Sequence, residues 1–298
     1  MKALRLKSSP LLVHLVTVLL AVSCLALTSC GDGGSAWSDP QADYTAAVQD
    51  AKTMTAAKIS KGLTAIVPEN PNLLWENGVP GTRVLVATWI GSQAACQSYL
   101  NPDSPGCKAG QECPAYGFNS WVTVVPELKD VVGSAPTLLR VAQSLGLPPP
   151  AATQTRENTC IVELYVSPAD LFRPSPDPEV TDHEAELTFP ADGYRKFDDT
   201  FLVYSEMPCD ARYCDSCTSS GKCGMTSYRN WYSNRRTYIY SQTAVSSPYP
   251  WTGLGYTYDW GNPTPPHYGV SEFVINSGTA GIGIFIKSCT WTGAYFNN

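Results

Sequence analysis

Three groups of residues combine types and spacing that could do chemistry. The first is PYPWTGLGYTYDWGN, residues 248–262, with His267 and Glu272 shortly after it. Trp and Tyr rings offer flat apolar faces with a polar tip. On one reading Trp251, Tyr256, Tyr258 and Trp260 form a platform that stacks on sugars, while Asp259 and Asn262 hydrogen-bond to hydroxyls. On a second, Tyr256, Asp259 and His267 converge around a cleft with Glu272, which acts as acid or base from the following strand. A third is structural: the rings bury their faces and their polar atoms close a turn.

The second group is TDHEAE, residues 181–186, which gathers Asp182, His183, Glu184 and Glu186 behind Asp177 and Glu179. Such a set offers oxygen and nitrogen ligands to a divalent cation, and calcium suits it by accepting many oxygens in flexible geometry. The spacing matches no established ion-binding loop, and a solvated acidic loop explains the same residues. No other cofactor is expected. Histidine is scarce: beyond residue 29 only His183 and His267 occur, and neither HExxH nor Gly-x-Ser-x-Gly is present. Sites that need three His ligands, and the nucleophile elbow, are excluded.

The third group is cysteine, eleven in all. Cys209, Cys214, Cys217 and Cys223 form a C-x4-C-x2-C-x5-C cluster. It suits two local disulfides in an oxidising compartment better than zinc, whose ribbon sites use two close pairs set further apart. Cys96, Cys107 and Cys113 are expected to staple another loop, and Cys160 and Cys289 to pair if their strands are neighbours. Counting these nine, one thiol is left over.

The compartment is legible at the start of the chain. Residues 1–29 carry Lys2, Arg5 and Lys7 and then an almost uncharged apolar run, the layout of a secretory signal. The run closes on Leu-Thr-Ser-Cys, which matches the bacterial lipobox and makes Cys30 the expected lipidation site. Two or three acyl chains give stable anchoring where one is marginal. Gly31, rather than Asp, follows that Cys, so the expected location is the outer membrane where the cell has one. Loss of residues 1–29 removes three cations and no acid, which moves the formal charge from −6 to −9. Nucleic acid is therefore not an expected partner. The expected partners are the membrane, through the lipid, and a glycan or envelope protein.

The elements that must position these groups follow from periodicity and punctuation. Residues 30–43 are small and polar, a tether, and residues 44–298 are expected to fold as one domain with a Cys-rich insert at about 208–224. The spacing predicts an amphipathic helix over 44–63. RVLVATWI (83–90), WVTVV (121–125) and CIVELYV (160–166) read as strands, and helical patterns cover 126–132, 135–145 and 227–242. Ser167-Pro168 is a helix start. VSEFVI (270–275) and TAGIGIFIKSC (279–289), joined by Asn276-Ser277-Gly278, read as a hairpin. The fold class is α+β, with a mixed or antiparallel sheet, several helices, disulfide-stapled loops and a C-terminal β-hairpin.

The segments ENGVPGTRVLVATW, LFRPSPDPEVTDHEAEL and PYPWTGLGYTYDWGN followed by GVSEFVI resemble a group of uncharacterised bacterial secreted proteins and predicted lipoproteins. The likeness runs from about Leu73 to the C-terminus. It implies a shared fold and, where Gly253 stands here, an Arg in the relatives; no activity comes with it.

Overall fold

The computed structural model describes residues 39–101, 107–114, 119–190, 201–212, 214, 216–241, 248–276 and 282–297. The expected signal, the lipid site at Cys30 and most of the expected tether lie outside them. In chain order the strands are β1 (Val84–Ile90), β2 (Gln111–Pro114), β3 (Ser120–Val124), β4 (Cys160–Val166), β5 (Leu171–Phe172), β6 (Leu202–Pro208), β7 (Lys222–Ser227), β8 (Tyr256–Tyr258), β9 (Tyr268–Ser271), β10 (Phe273–Ile275) and β11 (Gly283–Trp291). The α-helices are α1 (Pro40–Ala51), α2 (Gln93–Leu100), α3 (Val125–Val132), α4 (Leu138–Ser144), α5 (Tyr228–Ser241) and α6 (Thr292–Tyr295). No described helix is long and apolar enough to cross a membrane.

Seven strands form one antiparallel sheet in the order β2-β11-β4-β1-β3-β10-β5, so the chain is α+β. Its centre is buried on both faces because β1 and β4 are apolar at almost every position, which is what VLVATWI and CIVELYV announce. On one face Val84, Val86, Val162, Leu164 and Phe273 pack under the α2 side. On the other, Leu85, Ala87 and Ile161 meet Leu128 and Val132 of α3, Val141 of α4, and Tyr295 and Phe296 at the C-terminus. A third, aromatic cluster joins Phe172 and Val274 of the sheet edge to Tyr228, Trp231 and Tyr232 of α5 and to Trp251.

Two antiparallel hairpins stand apart from this sheet, β6–β7 and β8–β9. The second is the C-terminal hairpin of the fold. The pairing expected across Asn276-Ser277-Gly278 takes a different form: β10 joins β3 and β5, whereas β11 joins β2 and β4. Consecutive strands thus enter the sheet on opposite sides of its centre. VSEFVI is likewise divided, with Val270 and Ser271 in β9, Phe273 to Ile275 in β10, and Glu272 at the crossing between them.

The helix expected over 44–63 is shorter. It begins inside the stretch expected as tether, where Asp39 caps Pro40–Ala51 by accepting from Gln41 N, and it stops at Ala51. Lys58 folds back there, donating from Nζ to Asp50 O (2.6 Å) and Thr53 O (3.1 Å) and pairing with the Asp50 carboxylate at 2.8 Å. A cation over the last carbonyls satisfies the groups a helix C-terminus leaves open. The apolar residues beyond serve an extended segment, in which Leu63 N donates to His183 O and Ile66 N to Val180 O. Ser167 does cap a helix, but only the single 3-10 turn Pro168–Asp170.

Four disulfides form: Cys96–Cys160, Cys107–Cys113, Cys209–Cys217 and Cys214–Cys223. The last two close the Cys-rich tip of the β6–β7 hairpin, as two local bridges. The expected Cys160–Cys289 pair is not made. β4 and β11 are neighbours, yet the register sets Cys289 opposite Val162 and Trp291 opposite Cys160. Cys160 bonds instead to Cys96 of α2, and Cys289 is the free thiol among the described residues. The Cys96–Cys160 bridge spans 64 residues, so removing it as Cys96→Ala with Cys160→Ala should cost about 4 kcal/mol through loop closure alone. Denaturant unfolding of the double variant checks this. A loss under about 1 kcal/mol would mean that the sheet holds α2 without the bridge.

Candidate functional site

The aromatic stretch is held by its own polar atoms. Trp251 is 2% exposed, Tyr256 2%, Tyr258 4% and Trp260 8%. Trp260 donates from Nε1 to Leu147 O at 2.9 Å, Tyr256 from its hydroxyl to Lys58 O at 2.8 Å, and Tyr258 from its hydroxyl to Asp50 Oδ2 at 3.1 Å. Asn262 accepts from Thr264 N within the following turn. A sugar-stacking platform needs free ring faces. These rings spend theirs on the interior, so Trp251, Tyr258, Trp260 and Asn262 do not form one.

Asp259 and His267 are engaged in the same way. Asp259 is 2% exposed and binds both Nη atoms of Arg140 at 2.6 Å, while its Oδ1 also accepts from Gly261 N. His267 lies 2.6 Å from Asn262 O through Nδ1 and stacks on Tyr258 with ring centroids 5.0 Å apart. Its φ of 63° fits the tight turn of the β8–β9 hairpin. None of Tyr256, Asp259 and His267 lines the cavity to which Glu272 belongs. The predicted four-residue cleft is therefore not assembled.

That cavity has a volume of about 560 Å³ on the face of the sheet that carries α3 and α4, where their cluster meets the aromatic cluster. Its origin is local. Ala87 of β1 and Thr123 of β3 are register partners and both small, so the sheet floor is shallow there. Trp89, Trp121, Leu128 and Leu145 rise around it, and Tyr44, Tyr249, Thr257 and Val270 complete the wall. The aromatic stretch thus contributes through Tyr249 and Thr257, not through its tryptophans.

Glu272 enters this wall because β strands alternate. Its neighbours Ser271 and Phe273 turn away, Ser271 to donate from N and Oγ to Glu127 Oε1 and Phe273 into the core under the opposite face. Glu272 N donates to Gly255 O at 2.9 Å, which pins the backbone at the crossing. Burial pushes the carboxyl up to about 8, against smaller opposing pulls from the Trp251 indole and the Arg235 guanidinium. Even so, neither Glu272 Oε2 nor Trp251 Nε1 completes a hydrogen bond, and the Trp89 Nε1 and Thr123 Oγ1 atoms of the wall also have no partner. Buried polar atoms left this way cost stability, and three of them, on Glu272, Trp89 and Thr123, share this wall, which points to a ligand.

The acidic loop is organised around an internal cation. Arg173 is wholly buried and donates to Asp182 Oδ1 at 2.6 Å, with further bonds to the carbonyls of Asp182, Glu184 and Thr64. His183 turns its Nδ1 to Leu63 O, and Glu184 pairs with Lys61. The three residues expected to ligate together are thereby separated. Asp177, Glu179 and Asp182 do place ligand atoms within 4.8 Å of one another, and a hydrogen bond with Asp177 holds Glu186 up to about 7. Arg173 already supplies positive charge to this group. Where relatives are expected to carry Arg, Gly253 has φ +63° and a Cβ would stand 2.5 Å from the Tyr232 hydroxyl and 2.9 Å from Arg236 Nη1. Arg236 brings a cation to that place from α5.

Comparison of the chain with protein-family models, curated proteins and solved structures finds no match. The sequence marks Glu272 but not most of the residues around it; of these only Tyr249 and Thr257 lie in a segment already marked as a site.

The raised Glu272 value carries a stability consequence of definite sign. A carboxyl whose folded value lies above its unfolded one contributes fully below about 4.5, and that contribution is lost as pH rises through about 8. Relative to Glu272→Gln, the wild-type chain should lose roughly 4 kcal/mol between pH 4.5 and 8.5. Unfolding midpoints for both proteins across that range check it. Parallel curves would show that Glu272 keeps its solvent value.

Proposed function

We propose that the chain is a lipid-anchored protein of the bacterial envelope whose cavity under the aromatic stretch binds a small, largely apolar molecule. The observation that carries the binding half is Glu272 Oε2, buried without a partner in the wall of a 560 Å³ cavity built mostly from apolar and aromatic side chains. Pockets of this size with few convergent polar groups are characteristic of small-molecule sites. The anchoring half rests on the lipobox ending at Cys30, and the outer-membrane placement on Gly31. Four disulfides suit an oxidising compartment. The likeness to secreted proteins and predicted lipoproteins belongs to the same proposal.

Binding is preferred over turnover because each partner that acid–base chemistry would draw on is already committed. Asp259 neutralises Arg140, Tyr256 donates to Lys58 O, and His267 bonds to Asn262 O. A glycan is a poorer ligand than an apolar molecule because the stacking faces are buried.

The test uses the full chain in lipid nanodiscs and the uncharged fluorophore N-phenyl-1-naphthylamine, with protein-free discs as reference. Saturable binding of one probe per chain is expected, weakened about tenfold or more, which is about 1.4 kcal/mol, by Ala87→Phe, which fills the floor. Val270→Phe, from another wall, guards against a folding defect in the first variant. Probe binding unchanged in both folded variants, or no binding above that of the bare discs, would overturn the proposal.

A further inference from the structure

The wall of the cavity has a distinctive charge pattern. Among the described lining residues Glu272 is the one carboxyl, and none is Lys, Arg or His. Tyr44, Trp89, Trp121 and Tyr249 bring aromatic rings to the same space. The chain as a whole is acidic, at −6. An anionic ligand would meet no cation among the described lining residues, the nearby Arg235 guanidinium lying behind the Trp121 and Tyr249 rings. A cation would find ring faces that attract it and a carboxylate that accepts charge-assisted hydrogen bonds.

The groups around Glu272 leave this role open. Arg235 of α5 acts on it, yet the guanidinium is paired with Glu206 of β6, donates to the Tyr249 hydroxyl at 3.5 Å, and lies over the rings of Trp121 (5.5 Å) and Trp231 (5.2 Å). Its charge is thus largely answered elsewhere. Burial pushes the Tyr44 and Tyr249 phenols upward, so both stay neutral near pH 7. The Trp251 indole offers a donor but completes no bond. Glu side chains turn easily about their last torsion, so either oxygen can be presented to the cavity.

We propose that the ligand of this cavity is an apolar molecule ending in a protonated amine, its ammonium seated against the Glu272 carboxylate among the Tyr and Trp rings. The inference rests on the reading of the cavity as a ligand site and narrows it to one chemical class. It also sets the proton balance. In the ligand-free protein a carboxyl near 8 is mainly protonated at pH 7. Binding of an ammonium needs the carboxylate, so the Glu272 proton leaves to solvent, close to one proton per ligand at that pH.

The experiment is calorimetry on the full chain in zwitterionic nanodiscs with two matched probes, 4-phenylbutylamine and 4-phenylbutan-1-ol. The amine should bind about tenfold or more tighter than the alcohol at pH 7.5, and Glu272→Gln should abolish that preference. Titrations near pH 7 in buffers of different ionisation enthalpy should show proton release with the amine and none with the alcohol. Amine affinity should rise from pH 6 to 8 in the wild type and stay flat in Glu272→Gln. Equal affinity for both probes, each weakened by Ala87→Phe, would overturn the amine class and leave the cavity reading standing. So would tighter binding of the alcohol, which would make Glu272 a neutral donor. Failure of both probes to bind would overturn both readings, and amine preference surviving in Glu272→Gln would place its origin away from this carboxyl.

Discussion

The guanidinium of Arg173, closed off from solvent, is the constraint on which the arrangement above the sheet depends. Taking a cation out of water costs several kcal/mol unless good acceptors surround it. The acceptors here come from three places in the chain: Thr64 O in the extended segment after α1, the carboxylate and carbonyl of Asp182, and Glu184 O. Satisfying one residue beside β5 therefore fixes two segments with no sheet pairing of their own. Burial pushes the guanidinium down and Asp182, Asp177 and Glu179 push it back up, which gives the acidic loop its purpose. The stem of the same side chain lies against Gly255, where a Cβ would fall 2.4 Å from Arg173 Cδ and φ is +74°. Only glycine meets both conditions, and Gly255 O is what holds Glu272 N at the crossing from β9 to β10.

That chain of contacts explains why some of the molecule was legible in its residues and some was not. VLVATWI and CIVELYV declare buried strands because nearly every position is apolar or β-branched, and Tyr228–Ser241 declares a helix by its aromatic face. Local punctuation was readable at Ser167-Pro168, which does start a helical turn, though only a single 3-10 one. Strand order was not, because pairing of β10 with β3 and of β11 with β4 depends on a path through the whole sheet. The same gap misassigned Cys160. Neighbouring strands were a correct premise, but a register offset by two residues sends its sulfur to α2.

The site was legible in one residue. Glu272 stands out as an acid between apolar strand residues, a local conflict of the kind that marks function. Its surroundings come from α1, β1, β3 and the segment after α4, so Tyr44, Trp89 and Thr123 carry no signal of their own until the sheet brings Ala87 opposite Thr123. Conversely, the density of rings in PYPWTGLGYTYDWGN reads as a surface when its actual task is to be interior. Three large rings with polar tips, Tyr256, Tyr258 and Trp260, reach Lys58, Asp50 and Leu147, and thereby fasten α1 and the end of α4 to the hairpin.

Fastening α1 also decides what kind of cavity results. Tyr44 packs edge-on against Trp260 at 5.8 Å and forms one wall, so the aromatic stretch and the first described helix close the space together. A fold selected for stability alone would fill a hollow over Ala87 and Thr123 with a larger side chain and would not set a carboxyl beside it. Here Glu272 Oε2, Trp89 Nε1, Thr123 Oγ1 and Trp251 Nε1 are all without partners in one region, while both carboxylate oxygens of Glu127 are bonded by Thr64 and Ser271. The protein evidently can satisfy a buried carboxyl when structure is the only requirement. That contrast between two buried acids, one with both oxygens bonded by the chain and one with Oε2 left over, is the physical reason to look for the missing partner of Glu272 outside the chain.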